Sequence, residues 1–139
     1  MKKNNNKGFT LVELIVVLVI LAILAAILVP ALLGYIDKAR NGQYLEEAHS
    51  IYTAVQAYGT EQYAKAPTAD VDASGISTYI APIVEPTKDV SVSVGWGSGT
   101  DKDKHTVKTL SCQFKSQNGT TVKTSFDGSS WTDPEKVSN

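Results

Sequence analysis

The chain begins with a short polar stretch and changes character abruptly at Phe9. From Phe9 to Leu33 run 25 residues that are apolar apart from Thr10, Glu13 and the helix-breaking Pro30. As a helix this segment rises about 37 Å, enough to cross a hydrocarbon core of about 30 Å. Beyond it Ile36, Ala39, Leu45, Ala48, Ile51, Tyr52, Val55, Tyr58 and Gln62 recur mostly on one helical face. Asp37, Arg40, Gln43, Glu46, Glu47, Ser50 and Glu61 fall largely opposite. The pattern predicts an amphipathic continuation to about Ala64, stopped before Pro67. Phe9 to Ala64 as one helix would be about 84 Å long, with Gly34 and Gly42 as places for a slight bend.

After Pro67 the period changes. Thr68–Ser74 reads as a polar loop, and Ile76–Ile83 as a short apolar piece bounded by Pro82 and Pro86. Val90, Val92, Val94 and Trp96 then alternate with Ser91, Ser93 and Gly95, the mark of a half-buried strand. A glycine- and charge-rich connection follows over residues 95–104. Leu110, Cys112 and Phe114 alternate again up to Asn118-Gly119, a strong hairpin signal. Val122, Thr124 and Phe126 make the returning strand, and Asp127-Gly128 turns the chain toward Trp131. A small sheet with one apolar face needs a cover, and the amphipathic half of the helix is the element long enough to supply it. The expected class is α+β, a long N-terminal helical spine (transmembrane, then amphipathic) packed by an antiparallel sheet of three to four strands. The expected partition is 1–8, 9–33 for the apolar helix, 34–66 for its amphipathic continuation, and 67–139 for the sheet part of a globular head.

Composition narrows the function. The 139 residues leave room for one modest domain plus an extended element. A net charge of −1 gives no electrostatic case for binding nucleic acid. The single cysteine, Cys112, closes no intrachain disulfide and reads as a small buried hydrophobe. His49 and His105 lie far apart in this layout and read as surface or packing residues. Asp101-Lys102-Asp103-Lys104 reads as a solvated turn, because lysines flank the carboxylates. Asp127-Gly128 and Asp133 lack the alternating oxygen ligands of a calcium loop. Asn118-Gly119-Thr120 fits a glycosylation acceptor but is explained by the hairpin turn. The tyrosines at 35, 44, 52, 58 and 63 suit a membrane exit or a packing face. No phosphate loop or nucleophile elbow is present. The expectation is a non-enzyme with no catalytic residue, cofactor or metal.

The lysines at 2, 3 and 7 precede the apolar run and none follows until Lys38, which puts the N-terminus in the cytoplasm and the bulk outside. A secretory signal peptide would carry a shorter apolar region ending in a small-residue cleavage site. A plain single-pass anchor fits the length but leaves two features over. One is Glu13, a carboxylate inside the apolar run, which is costly in lipid unless it reaches water or a partner. The other is Gly8, where the lysine-bearing leader meets the helix.

Lys7-Gly8-Phe9-Thr10-Leu11-Val12-Glu13-Leu14 resembles the processing signature of type IV pilins and their relatives, the pseudopilins and competence pilins. The likeness continues through Leu24-Ala25-Ala26 to Pro30 and covers about the first 45 residues. It implies that a membrane prepilin peptidase removes residues 1–8 by cutting between Gly8 and Phe9, and that the new Phe9 amine is methylated. It also implies a helical homopolymer built by inner-membrane assembly machinery with its ATPase. The subunit would wait in the cytoplasmic membrane, in contact with lipid, before becoming part of an extracellular surface filament. Loss of the leader takes three lysines, leaving ten basic against fourteen acidic side chains. Glu13 lies four residues from Phe9 on the same helical face, so an incoming Phe9 ammonium and a resident Glu13 would neutralise each other in a low-dielectric bundle. Phe9, Glu13 and Pro30 are therefore the expected assembly residues. Relatives often carry a glycine where Ala22 stands, so helix melting between Ala22 and Pro30 is less favoured here. Major pseudopilins typically add an acidic calcium loop near the C-terminus, and many Gram-negative pilins close a loop with two cysteines. Neither pattern is evident, which favours a major pilin without that disulfide over a pseudopilin. A membrane-tethered binding module using Trp96, Trp131 and the strand loops is the alternative from another class.

Overall fold

The computed structural model describes residues 8–84, 89–115 and 119–137. The first element, α1 (Leu11–Lys65), is one 55-residue helix. It passes through both compact units into which the chain divides, Met1–Ala39 and Arg40–Asn139.

In the first unit the helix is apolar on all sides, and every described residue through Ala39 is exposed. Among the described residues α1 is the one helix long and apolar enough to cross a membrane. Such a surface is not stable in water, while a helix satisfies its own backbone in lipid. Pro30 lies inside α1, which continues unbroken on both sides of it. Pro30 has no N–H to offer the Ala26 carbonyl, a local weakening that the neighbouring turns tolerate. Gly34 and Gly42 likewise sit within unbroken helix.

In the second unit the helix becomes one-sided. Ala48, Ile51, Val55 and Tyr58 are buried, whereas Ser50, Thr53, Ala57 and Thr60 stay exposed. The helix ends at Lys65, one residue beyond the expected point and two before Pro67. The apolar piece after the loop is α2 (Ile76–Ile80), entered through a 3₁₀ turn at Ala73–Gly75. Asp72 caps that turn by accepting from the Ser74 amide at 2.9 Å, and the Tyr58 hydroxyl donates to the Asp72 carbonyl.

The remaining elements are β1 (Asp89–Trp96), a one-turn helix α3 (Asp101–Lys104), β2 (Val107–Lys115), β3 (Thr121–Phe126) and β4 (Glu135–Val137). The strands form an antiparallel meander in the order β1-β2-β3-β4. Register follows the alternation read from sequence. Val90, Phe114 and Val122 share one row across the inner face, and Val92, Cys112 and Thr124 share the next. Two details depart from expectation. The connection before β2 contains α3 rather than only a turn. The fourth strand is Glu135–Val137, while Trp131 makes only an isolated bridge to Phe126. Gly119 has a φ of +84°, which suits the β2–β3 hairpin, while its neighbour Asn118 lies outside the described residues.

The inner face of the sheet packs on the second half of α1. Ile51, Val55, Leu110, Cys112 and Phe114 are at most 1% exposed. Each large side chain buried this way contributes on the order of 1.5–3 kcal/mol. Two polar contacts set how helix and sheet meet. The Gln56 amide donates to the His105 carbonyl at 3.2 Å and accepts from the Val107 N–H at 2.9 Å, acting as an added rung at the start of β2. One turn on, a Cβ on Gly59 would lie 2.4 Å from the His105 carbonyl oxygen and 2.6 Å from the Trp96 ring, so only glycine allows this approach.

Replacing Gln56 with Leu keeps the bulk but strands the His105 carbonyl and Val107 N–H. The expected loss is about 1–3 kcal/mol, read as a lower urea midpoint for the full chain in detergent. An unchanged midpoint would show that the rung contributes nothing net.

Candidate processing and assembly site

The site begins where regular structure begins. Leu11 is the first helical residue, so Gly8, Phe9 and Thr10 precede the helix and the Gly8–Phe9 peptide bond lies outside it. Phe9 is 86% exposed. A Cβ on Gly8 would meet nothing within 4 Å, so folding does not require glycine there.

Thr10 and Glu13 close a reciprocal cap. The Glu13 amide donates to Thr10 Oγ1 at 3.3 Å, and Glu13 Oε2 accepts from the Thr10 amide at 2.8 Å and from its hydroxyl at 2.7 Å. The Leu14 amide donates to the Thr10 carbonyl at 3.3 Å, giving the first helical turn. This is a Thr-x-x-Glu capping box, which satisfies amides that a helix N-terminus otherwise leaves open. A carboxylate in the first turn is also favoured by the helix dipole. The sequence reading placed Glu13 here but missed Thr10, although the Thr-x-x-Glu spacing was the available signal. All three contacts to the carboxylate and hydroxyl leave Glu13 Oε1 outside the cap. A carboxylate has about four lone-pair positions, so the cap orients Glu13 without exhausting it.

Elsewhere the polar clusters have structural partners. The His49 ring lies 4.7 Å from the Trp131 ring, and His105 is buried with Nδ1 2.7 Å from the Asp101 carbonyl oxygen. The two histidines thus serve separate contacts. Thr100 and Asp103 cap α3, and Asp103 also faces Lys108 at 3.7 Å. Asp127 accepts from the Ser129 and Ser130 amides at 2.9 and 2.8 Å, and these bonds hold its carboxyl down at about 2. Its carboxylate is therefore engaged by its own loop. Cys112 is fully buried, and desolvation, with the nearby charge of Glu47, pushes its thiol up to about 12. Tyr58 is buried, Tyr44 stacks near Phe114, Tyr52 packs on Phe126 and Trp131, and Tyr63 on His105. Tyr35 is 74% exposed at the end of the apolar run.

Residues 3–29 match the family described as the prokaryotic N-terminal methylation motif. The chain thus carries the class III signal of type IV pilins, continuous with a long apolar helix. This signal supports a type IV pilin-like or pseudopilin protein. Neither the curated proteins nor the solved structures contain a match to the chain.

Two outcomes are expected. Thr10→Val removes the N-cap and costs about 0.5–2 kcal/mol of local helix stability. Hydrogen exchange at the amides of residues 11–14 in micelles should speed up accordingly; unchanged rates would remove the cap from the account. For Asp127 the folded carboxyl titrates below its ordinary 3.8. Its contribution is therefore full above about pH 4 and is lost as pH falls toward 2. Asp127→Ala should lower the urea midpoint at pH 5, and the gap to wild type should narrow steadily as pH falls from 4 toward 2.

Proposed function

We propose that the chain is the structural subunit of a type IV pilus filament. The peptidase cuts between Gly8 and Phe9, the Phe9 amine is methylated, and the apolar part of α1 leaves the membrane to pack against the same segment of other copies. The observation that carries this reading is the methylation motif running directly into a helix whose first half is apolar and wholly exposed. Such a helix needs lipid before assembly and neighbouring helices afterwards.

The charge logic follows from the cap. Removal of the leader strips the lysines that hold the N-terminus in the cytoplasm and creates an ammonium at Phe9. Thr10 keeps Glu13 solvated in part by its own hydrogen bonds while the subunit waits in the bilayer. Glu13 Oε1 then receives the Phe9 ammonium of an incoming subunit, and each charge offsets the cost of the other. Pro30 loosens one turn of the segment that must repack. A pilus is preferred to a pseudopilus because the acidic Asp127 loop turns its carboxylate onto its own amides.

Mass spectrometry of filaments sheared from the cell surface should find a chain beginning at methylated Phe9. Full-length chain confined to membranes would refute the reading. Glu13→Ala should be cleaved normally yet give few or no filaments, and normal filament yield from it would remove the charge-pairing role.

A further inference from the structure

We infer that Thr10 is a positioning residue for cleavage: it ends the helical hydrogen-bond ladder at its own carbonyl and so leaves the Gly8 carbonyl free for attack. The role presupposes the processing step proposed above and adds to it the feature of the subunit that makes the bond available.

The first observation is where the ladder stops. In a helix each amide donates to the carbonyl four residues back. The Leu14 amide does so, donating to the Thr10 carbonyl at 3.3 Å. The next bond back would join the Glu13 amide to the Phe9 carbonyl. The one after it would join the Val12 amide to the Gly8 carbonyl, which belongs to the peptide link to be cut. Among the described residues neither forms. The Glu13 amide donates instead to Thr10 Oγ1 at 3.3 Å, and α1 starts at Leu11.

The second observation is that Thr10 is itself held. Glu13 Oε2 accepts from its amide at 2.8 Å and from its hydroxyl at 2.7 Å, which fixes it as the N-cap. The bond that diverts the ladder runs from the backbone amide of residue 13, so it survives Glu13→Ala and cleavage of that variant stays normal. The two halves of the cap thus divide: the Thr10 hydroxyl serves cleavage and the Glu13 carboxylate serves assembly.

The third observation is that little else governs the two residues at the cut. Phe9 is 86% exposed and a Cβ on Gly8 would meet nothing within 4 Å. With no packing to keep them out of the helix, the neighbouring cap makes that choice, and glycine, a poor helix former, adds to the stop.

Hydrolysis adds water to the Gly8 carbonyl carbon and breaks its bond to the Phe9 nitrogen. Gly8 leaves as a carboxylate at the end of the leader, and the nitrogen takes a proton as the new amine. Negative charge builds on the Gly8 carbonyl oxygen in that step, and a peptidase must set its own donors against that oxygen. An oxygen already bonded to the Val12 amide inside a helical turn is withdrawn from them.

The test compares initial rates for full-length chain in detergent cut by purified prepilin peptidase. Thr10→Ala removes the cap and supplies the strongest helix former, so kcat/KM should fall about three- to tenfold. Thr10→Ser restores the hydroxyl and should restore the rate. Thr10→Val also loses the hydroxyl, but its β-branch resists extension of the helix, so its rate should stay within about twofold of wild type. With an isotope label at the Gly8 carbonyl, the infrared band of that group should move to lower frequency in Thr10→Ala alone, as its oxygen gains a bond. Thr10→Ala cut as fast as wild type would overturn the inference, and so would a slow Thr10→Ala whose band does not move. Equal slowing by Ala and Val would overturn it too, marking direct recognition of the side chain by the peptidase. Wild-type chain left uncut would sink the processing reading along with it.

Discussion

The inner face of the sheet is apolar and α1 is what covers it. Ala48, Ile51, Val55 and Tyr58 form one buried cluster with Leu110, Cys112 and Phe114. Gln56 supplies a side-chain rung where β2 begins, and Gly59 lets the backbone at His105 come close. These are short-range constraints. A bulkier residue at Gly59 or an apolar one at Gln56 would move the sheet or strand its amides. With no disulfide in the chain, this face holds the head together.

The same helix meets a different requirement at its other end. Its first unit offers apolar side chains in every direction, so its cover must come from lipid or from other helices. The polar features there are few and close together. Thr10 and Glu13 cap the first turn, and the bond expected to be cut lies immediately before it. The capping box gives Glu13 a partner inside the same chain, which lowers the cost of carrying a carboxylate in an apolar run while leaving one oxygen outside the cap.

Much of the fold was legible from period alone. The alternation of Val90, Val92 and Val94, of Leu110, Cys112 and Phe114, and of Val122 and Thr124 located three strands, and the 3.6-residue period of Ala48, Ile51 and Val55 located the buried helical stripe. Four features escaped. The helical state of Ile76–Ile80 is five residues long, too short for periodicity to separate helix from strand. The α3 turn is set by Thr100 capping Asp103, a local bond hidden under a charge-rich pattern. β4 is three residues with no apolar alternation, and it exists because β3 offers it an edge. The role of Thr10 was masked by its place in an otherwise apolar run.

By itself the sequence determined the processing signal, the length and apolarity of the N-terminal helix, and the inward face of each long strand. These depend on covalent order and on near-neighbour spacing, which any conformation of the chain retains. Tertiary structure alone decided which residues would meet across 49 and 51 positions at Gln56, why position 59 must be glycine, and that β1 and β4 form the two edges of the sheet. Those outcomes depend on where distant segments come to rest, and close packing makes that decision only once the whole head is assembled.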